Sequence, residues 1–231
     1  WNGGAPVAVR KAMVDYALAR LNMVESQIRT NKVTDPALIA AFDTIPRELF
    51  VPKSKRGIAY VDEALEIGAG RYMLEPMVLA RLLQAALPKP GDVALDVACG
   101  TGYATVILSK LASMVVGVEE EQSLVDAGNA NLETLEIDNA AIIQSALGEG
   151  YSKQAPYDVI LINGGVEVVP QVLFDELADG GRLVTVEGGT STQPGVAVLY
   201  EKLGSRIGRR ILFDAGTPLL GGFRQEAGFV F

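Results

Sequence analysis

The sequence contains no histidine and a single cysteine, and these shortages exclude several kinds of site. Without histidine, the chain has no side chain whose ordinary pKa lies close to neutrality. A Ser-His-Asp hydrolase and a histidine-ligated metal are therefore excluded, and one cysteine cannot build a disulfide framework or a zinc site. We expect no metal site, and we expect chemistry in which the nucleophile is already ionised or a cofactor carries the reactivity.

Long apolar runs and clustered positive charge are also scarce. Stretches such as Val93–Val97 are well below the ~18 residues of a membrane-spanning helix. The chain of 231 residues has a formal net charge of −8, whereas a protein that grips duplex nucleic acid needs a clustered positive surface. The basic stretch at Arg206, Arg209 and Arg210 is most simply a solvated strand or turn. We therefore expect a cytoplasmic protein that binds neither nucleic acid nor membrane, and the composition leaves its oligomeric state open.

Prolines and glycines divide the sequence into three parts. Residues 1–12 start with Trp-Asn-Gly-Gly and are expected to be a leader foreign to the protein. Residues 13–89 are predicted to form a helical N-terminal lid, which a proline-glycine cluster at 88–91 separates from a main domain over residues 90–231. Apolar spacing and caps predict helices in the lid over residues 14–29, 35–45 and 77–87, with 57–75 mixed.

Within the main domain, short apolar strands alternate with helices. Continuous apolar strands of this kind are typical of a parallel sheet covered on both faces. After Gly188 the helices stop, and two further strands are expected to form an antiparallel pair at the sheet edge. The sequence thus predicts a doubly wound, mostly parallel, seven-stranded α/β sheet of Rossmann-like type. The predicted strands are Val93–Ala98, Met114–Glu119, Ala140–Ala146, Tyr157–Asn163, Arg182–Glu187, Val196–Lys202 and Arg210–Phe213, and the predicted helices are Tyr103–Leu111, Gln122–Leu135 and Val169–Ala178.

A glycine-rich loop follows the first predicted strand. It reads Asp-Val-Ala-Cys-Gly-Thr-Gly-Tyr over residues 96–103, and glycines there let the backbone approach a ligand closely. Glu119 ends the next strand, where its carboxylate can accept both ribose hydroxyls of an adenosine ligand. Each such charge-assisted hydrogen bond contributes about 1.5–3 kcal/mol. The pattern predicts a cofactor that contains a nucleoside.

Two cofactor classes are compatible with that loop. A dinucleotide fingerprint requires a third glycine, but that position is Thr105, and the bulky Tyr103 directly follows Gly102. Methyltransferases that use S-adenosylmethionine show an acid before the glycines, a Gly-Gly pair before the fifth strand and an edge hairpin after it. Asp96 and the Gly180-Gly181 pair match that arrangement, so we favour S-adenosylmethionine over a nicotinamide dinucleotide.

Residues 20–231 resemble the protein-L-isoaspartate O-methyltransferase family. The resemblance is carried by Ile45–Pro52, Asp62–Gly68, Asp96–Tyr103, Ala155–Ile160 and Leu177–Val184, and the Pro-Arg-Glu-Leu-Phe stretch in the first of these is quite specific to the family. It implies a Rossmann-like methyltransferase fold with S-adenosylmethionine as cofactor. It also implies methylation of the side-chain carboxylate of isoaspartyl residues in damaged proteins, which is a repair reaction.

The resemblance also implies site residues. It places the acceptor segment, Gly70–Pro76, over the cofactor, with Tyr72, Leu74 and Glu75 at the family's catalytic acceptor positions. For Cys99, beside the glycines, small buried packing is a simpler role than nucleophile. The expected cofactor-binding residues are Asp96, Ala98, Cys99, Gly100, Thr101, Gly102, Glu119, Glu120, Ala146, Leu147 and Asn163.

The chain departs from the family pattern within the acceptor segment. The family reads roughly G-Q-T-I-S-Q-P there, so Leu74 replaces a serine hydroxyl and Glu75 a glutamine, while Ala146 replaces a carboxylate expected near the adenine. A second negative charge ~4 Å from the acceptor carboxylate would repel it by roughly 4 kcal/mol at an effective dielectric of ~20. Two alternatives therefore stay open, namely a different methyl acceptor and a regulatory binding protein that has lost catalysis.

Overall fold

The computed structural model describes residues 15–189 and 193–223 of the chain. The expectation about residues 1–12 lies outside these residues. Within the described part, no helix combines the length and apolar character needed to cross a membrane.

A seven-stranded sheet forms the centre of the molecule, in the order β5-β4-β3-β6-β7-β8-β9. The first five strands of that order are parallel, and β8 and β9 follow antiparallel as an edge hairpin. The predicted doubly wound sheet is therefore confirmed. The strands are β3 (Val93–Val97), β4 (Met114–Glu119), β5 (Ala140–Gln144), β6 (Tyr157–Val166), β7 (Leu177–Glu187), β8 (Gly195–Leu203) and β9 (Arg206–Ala215).

The strand order reverses beside β3, which pairs with β4 on one side and with β6 on the other. In open α/β sheets, ligands bind in the crevice at the carboxyl ends of the strands at such a switch point. The core strands are apolar on both faces because a hydrophobic cluster covers each face. This burial explains why the strands read as continuous aliphatic runs.

Three helices connect the parallel strands, namely α4 (Tyr103–Ser109), α5 (Gln122–Thr134) and α6 (Gln171–Asp175). The first two agree with the prediction, but α6 is much shorter than the helix predicted over Val169–Ala178. Pro170 holds an extended conformation before α6, and Leu177 already pairs with Tyr157 of β6. Sheet pairing therefore ends this helix earlier than its apolar spacing indicates.

The N-terminal part packs three α-helices, α1 (Tyr16–Met23), α2 (Pro36–Thr44) and α3 (Pro76–Ala86), against one face of the sheet. After α1 the chain continues as a π-helical turn over Val24–Ile28 and a 3-10 turn over Arg29–Asn31. As predicted, Asp35 caps α2, its carboxylate accepting the Leu38 amide at 2.8 Å.

A two-stranded hairpin, β1 (Leu65–Gly68) and β2 (Arg71–Met73), lies between α2 and α3. The sequence predicted only a mixed segment over residues 57–75, which contains Gly68 and Gly70. Ala69, between these glycines, also takes a positive φ of 50°. Strands of four and three residues give too short a period-two pattern to separate from a loop. The hairpin carries most of the acceptor segment.

Candidate active site

The glycine-rich loop turns sharply at the carboxyl end of β3. Ala98, Gly100 and Gly102 all have positive φ, at 61°, 55° and 90°. A Cβ on Gly100 would lie 2.4 Å from Cδ1 of Ile67 in β1, so the hairpin rests directly on this glycine. The loop therefore needs glycine at this position for close approach as well as for backbone conformation.

Asp96 is fully buried beneath the loop. Its carboxylate accepts hydrogen bonds from Oγ1 of Thr105 at 2.7 Å and from Nδ2 of Asn163 at 3.3 Å. Burial raises the pKa of Asp96 to about 7, although both hydrogen bonds act to lower it. Asp96 thus joins α4 to the end of β6.

Glu119, at the end of β4, is also fully buried. Its Oε2 accepts the Gly100 amide at 3.1 Å, and its Oε1 accepts the amides of Glu120 and Glu121 at 2.9 and 3.2 Å. These bonds fix the carboxylate beside the glycine loop. It lies where the sequence predicts an acceptor for ribose hydroxyls.

Arg71 of β2 reaches across to the same carboxylate. Its Nε lies 3.1 and 3.2 Å from the two oxygens of Glu119, and its Nη2 lies 2.6 Å from Oε1 of Glu120. The Arg71 side chain is only 6% exposed. The sequence placed Arg71 in the acceptor segment but did not predict its contact with Glu119 and Glu120, for which a lone cation within an apolar segment and a Glu-Glu pair at a strand end are only a weak signal.

A small enclosed cavity lies between the hairpin, the glycine loop and the end of β6. Its volume is about 10 Å³, close to the space of one water molecule. Five of the expected site residues line it, namely Tyr72, Leu74, Cys99, Thr101 and Asn163. Burial raises the pKa of the Cys99 thiol, which therefore stays neutral and serves as packing.

Two residues that line this cavity, Asn163 and Tyr103, carry buried polar atoms, Oδ1 and the hydroxyl, that have no hydrogen-bond partner among the described residues. Orphaned buried acceptors and donors of this kind are uncommon, and their place on the wall of a cavity is typical of a ligand site. The remaining lining residues were not expected from sequence: Ile67, Met73, Leu79, Tyr103 and Ala104.

Other expected residues do not line the cavity. Glu120 is exposed, as is Ala146, whereas Leu147 is buried in the hydrophobic cluster on the far face of the sheet. Glu75 occupies the N-cap position directly before α3 but makes no side-chain capping hydrogen bond, and among the described residues its Oε2 is buried without a partner. Burial raises the pKa of Glu75. Glu75 does not line this cavity, and the repulsion expected from it stays a prediction.

Arg47, from the Pro-Arg-Glu-Leu-Phe stretch, holds the acceptor segment in place through hydrogen bonds. Its Nε donates to the Ala59 carbonyl at 2.7 Å and its Nη2 donates to the Leu74 carbonyl at 2.5 Å. Its guanidinium carbon also lies 4.8 Å from the centre of the Tyr103 ring. Because Oγ1 of Thr101 donates to the Phe50 carbonyl at 2.6 Å, the same stretch also holds the glycine loop.

The donor set fits a nucleoside-containing cofactor. A glycine loop with positive φ, a buried carboxylate at the end of β4 and the unpartnered oxygen of Asn163 converge at the switch point. Pockets for ligands of such size usually measure roughly 300–1,000 Å³. This cavity, at about 10 Å³, is far smaller than that.

Comparison of sequences places this arrangement among known proteins. The profile of the protein-L-isoaspartate(D-aspartate) O-methyltransferase family matches residues 19–209. The protein-L-isoaspartate O-methyltransferase of Koribacter versatilis is 36% identical over 216 residues, which are 93% of this chain and 96% of that protein. Its counterpart in Methanoregula boonei is 35% identical over 208 residues, 90% of this chain and 95% of the relative.

Comparison of structures agrees with the sequences. A solved protein-L-isoaspartate O-methyltransferase superposes with a TM-score of 0.75 at 26% identity, over 88% of this chain and 66% of that chain. A Plasmodium falciparum protein named for the same activity, solved with S-adenosyl-L-homocysteine, gives a TM-score of 0.73 at 24% identity, over 88% of this chain and 98% of that chain. The second likeness supports the fold.

Proposed function

The chain belongs to the protein-L-isoaspartate(D-aspartate) O-methyltransferase family, and we propose that it methylates the side-chain carboxylate of isoaspartyl residues in proteins at the cavity beneath the β1–β2 hairpin. It is an S-adenosylmethionine-dependent methyltransferase. The observation that carries the proposed location is the convergence of the acceptor segment, the glycine loop and Asn163 on one cavity. The family match favours this enzyme over the regulatory binding protein that the altered acceptor segment left open.

S-adenosylmethionine, when bound, supplies an electrophilic methyl group. Glu119, the backbone of the 98–102 loop and the unpartnered oxygen of Asn163 would hold it, with Glu120 at the rim. These groups include two carboxylates beside a cationic ligand, which is a favourable charge arrangement. An adenine contact at Ala146 or Leu147 stays a prediction, because one is exposed and the other is buried in the core.

The acceptor needs no general base, because a carboxylate is already ionised at neutral pH. The residues of this chain therefore have to bind, orient and shield the acceptor. Tyr72 and Leu74 form the hairpin side of the cavity, and their largely apolar surface excludes water. This requirement agrees with a chain that contains no histidine.

Methyl transfer to a matched pair of peptides tests the proposal. One peptide contains an isoaspartyl residue and its twin contains an ordinary aspartyl residue at the same position. With radiolabelled S-adenosylmethionine, we expect transfer to the first peptide and not to the second. Transfer to neither peptide, by a protein that binds S-adenosyl-L-homocysteine, would contradict the acceptor assignment and favour a different methyl acceptor.

We also propose that residues 90–231 form the donor-binding domain and residues 13–89 its lid. A protein or peptide is the expected partner. A cytoplasmic location and the absence of nucleic acid binding remain predictions from composition.

A further inference from the structure

Arg71 uses the hydrogen-bonding capacity of Glu119 that a ribose would need. Oε1 of Glu119 accepts from Arg71 and from two backbone amides, and Oε2 accepts from Arg71 and from Gly100. A carboxylate offers about four lone-pair sites. This one is fully buried, so no lone pair faces solvent or the cavity.

We propose that Arg71 competes with the methyl donor for Glu119 and thereby couples donor binding to the position of the acceptor segment. The inference rests on the proposed function, because it takes Glu119 as the ribose ligand. A ribose that bonds Glu119 must displace the guanidinium, because a single buried carboxylate cannot serve both. Arg71 is then a positioning residue, acting through Glu119 and through the hairpin that carries it.

The hairpin links displacement of Arg71 to the part of the cavity where the acceptor would enter. Arg71 is followed directly by Tyr72 and, two residues later, by Leu74, and both line the cavity. Movement of the Arg71 side chain with β2 therefore enlarges the cavity where the acceptor would enter. The released guanidinium stays on the acceptor segment, where it can pair with an anionic acceptor. Donor binding should therefore strengthen binding of an isoaspartyl peptide, which is a positive coupling between two sites.

Calorimetry with S-adenosyl-L-homocysteine tests the competition without turnover. We expect Arg71→Ala to bind it at least tenfold more tightly than the wild type, because no ion pair has to be broken. Arg71→Gln keeps a polar side chain of similar length and should show the same direction, which keeps the test valid if the alanine variant fails to fold. Arg182→Ala is the matched control, because it removes an arginine–carboxylate pair between β7 and the residue before β3, Asp92, at the amino ends of the parallel strands and away from the glycine loop. Its affinity should be unchanged.

The coupling is measured with the isoaspartyl peptide, titrated with and without saturating S-adenosyl-L-homocysteine. In the wild type we expect the cofactor product to tighten peptide binding at least fivefold, and in Arg71→Gln this ratio should approach one. Equal or weaker affinity of both variants for S-adenosyl-L-homocysteine would overturn the inference while leaving the proposed function intact. Tighter binding by the variants, with no methylation of any isoaspartyl peptide, would support the competition and contradict the proposed acceptor.

Discussion

At the scale of single residues, Asp96 is a buried acid that holds the loops of the site together. Among the described residues, its carboxylate accepts side-chain hydrogen bonds from Thr105 and Asn163, and burial raises its pKa to about 7. The folded protein therefore binds this proton more tightly than the unfolded chain does. Its stabilising contribution is complete below about pH 4, the ordinary pKa of aspartate, and is lost as the pH rises through about 7.

We expect Asp96→Asn to reduce the pH dependence of stability between pH 4 and pH 8. The difference between the raised pKa of Asp96, about 7, and its ordinary value near 4 corresponds to an upper limit of about 4 kcal/mol. Urea denaturation at successive pH values measures the free energy of unfolding. Glu75 and Glu176, whose pKa values burial also raises, contribute in the same direction, so some slope should remain. Asp43→Asn is the control, because Asp43 is exposed. If the free energy of unfolding depends on pH equally in the wild type and in Asp96→Asn, the raised pKa of Asp96 is contradicted.

The family resemblance implies that Leu74 takes the place of a serine hydroxyl beside the acceptor. We expect isoaspartyl methylation by Leu74→Ser to exceed that of Leu74→Ala about tenfold in kcat/KM, because a hydroxyl partner for a desolvated carboxylate is worth about 1–3 kcal/mol. Leu74 is buried, so both variants should lose roughly 2–5 kcal/mol of stability. Comparing the two variants isolates the hydroxyl. Equal kcat/KM values would mean that position 74 does not touch the acceptor.

Single residues also show where sequence-based prediction of the site stops. Asp96, Gly100 and Glu119 could be placed because strand ends and glycines have strong local signals. Arg71 could not, because its partner Glu119 is distant in sequence and their contact depends on how a short hairpin folds back. Leu147 was expected at the adenine, but its apolar side chain packs into the core.

At the scale of elements, the 3-10 turn Arg47–Leu49 links the acceptor segment to an earlier part of the lid. The Arg47 guanidinium is fully buried and bonds two carbonyls from different segments, those of Ala59 and Leu74. A buried group of this kind positions both segments through one side chain.

Arg47→Ala should lower the free energy of unfolding by about 3–5 kcal/mol, because two buried carbonyls lose a charged donor and a cavity remains. Affinity for S-adenosyl-L-homocysteine should fall as well, since the hairpin loses its anchor. Thermal and urea unfolding with calorimetry measure both effects. Arg29→Ala is the control, because its pair with Glu25 is solvent-exposed and should change stability by less than about 0.5 kcal/mol. A loss no larger than that of the control would contradict the anchoring role.

The elements of the fold were predicted best where apolar strands are buried on both faces. The strands β3, β4, β8 and β9 lie within the predicted segments or extend them at their ends. The errors have two different causes, a pairing between residues distant in sequence and strands too short to show a clear period-two pattern. Leu177 joins the sheet through Tyr157 and shortens α6, and β1 pairs with β2 across only a tight turn.

At the scale of the whole molecule, the net charge of −8 sets what the surface attracts. We expect no binding of a fluorescently labelled DNA duplex in anisotropy titrations up to about 100 µM protein at physiological salt, the range in which non-specific DNA binders associate. Reversing the three basic residues of β9, Arg206, Arg209 and Arg210, to glutamate should leave this result unchanged. Binding that falls steeply with added salt and disappears in that variant would instead identify β9 as a nucleic acid contact.

The exposed strand β9 has a consequence for how copies of the molecule behave in crowded solution. Within the described residues it has a strand neighbour on one side only, and most of its ten residues, including Arg206 and Arg210, are exposed. An open strand edge of this length is a template for edge-to-edge pairing with another molecule. Antiparallel pairing of two such edges would bring their arginines together, and the repulsion between these arginines opposes the pairing. At 0.1 M salt, exposed charges more than about 10 Å apart are largely screened from each other, so added salt weakens this repulsion. Colloidal stability should therefore decline as ionic strength rises.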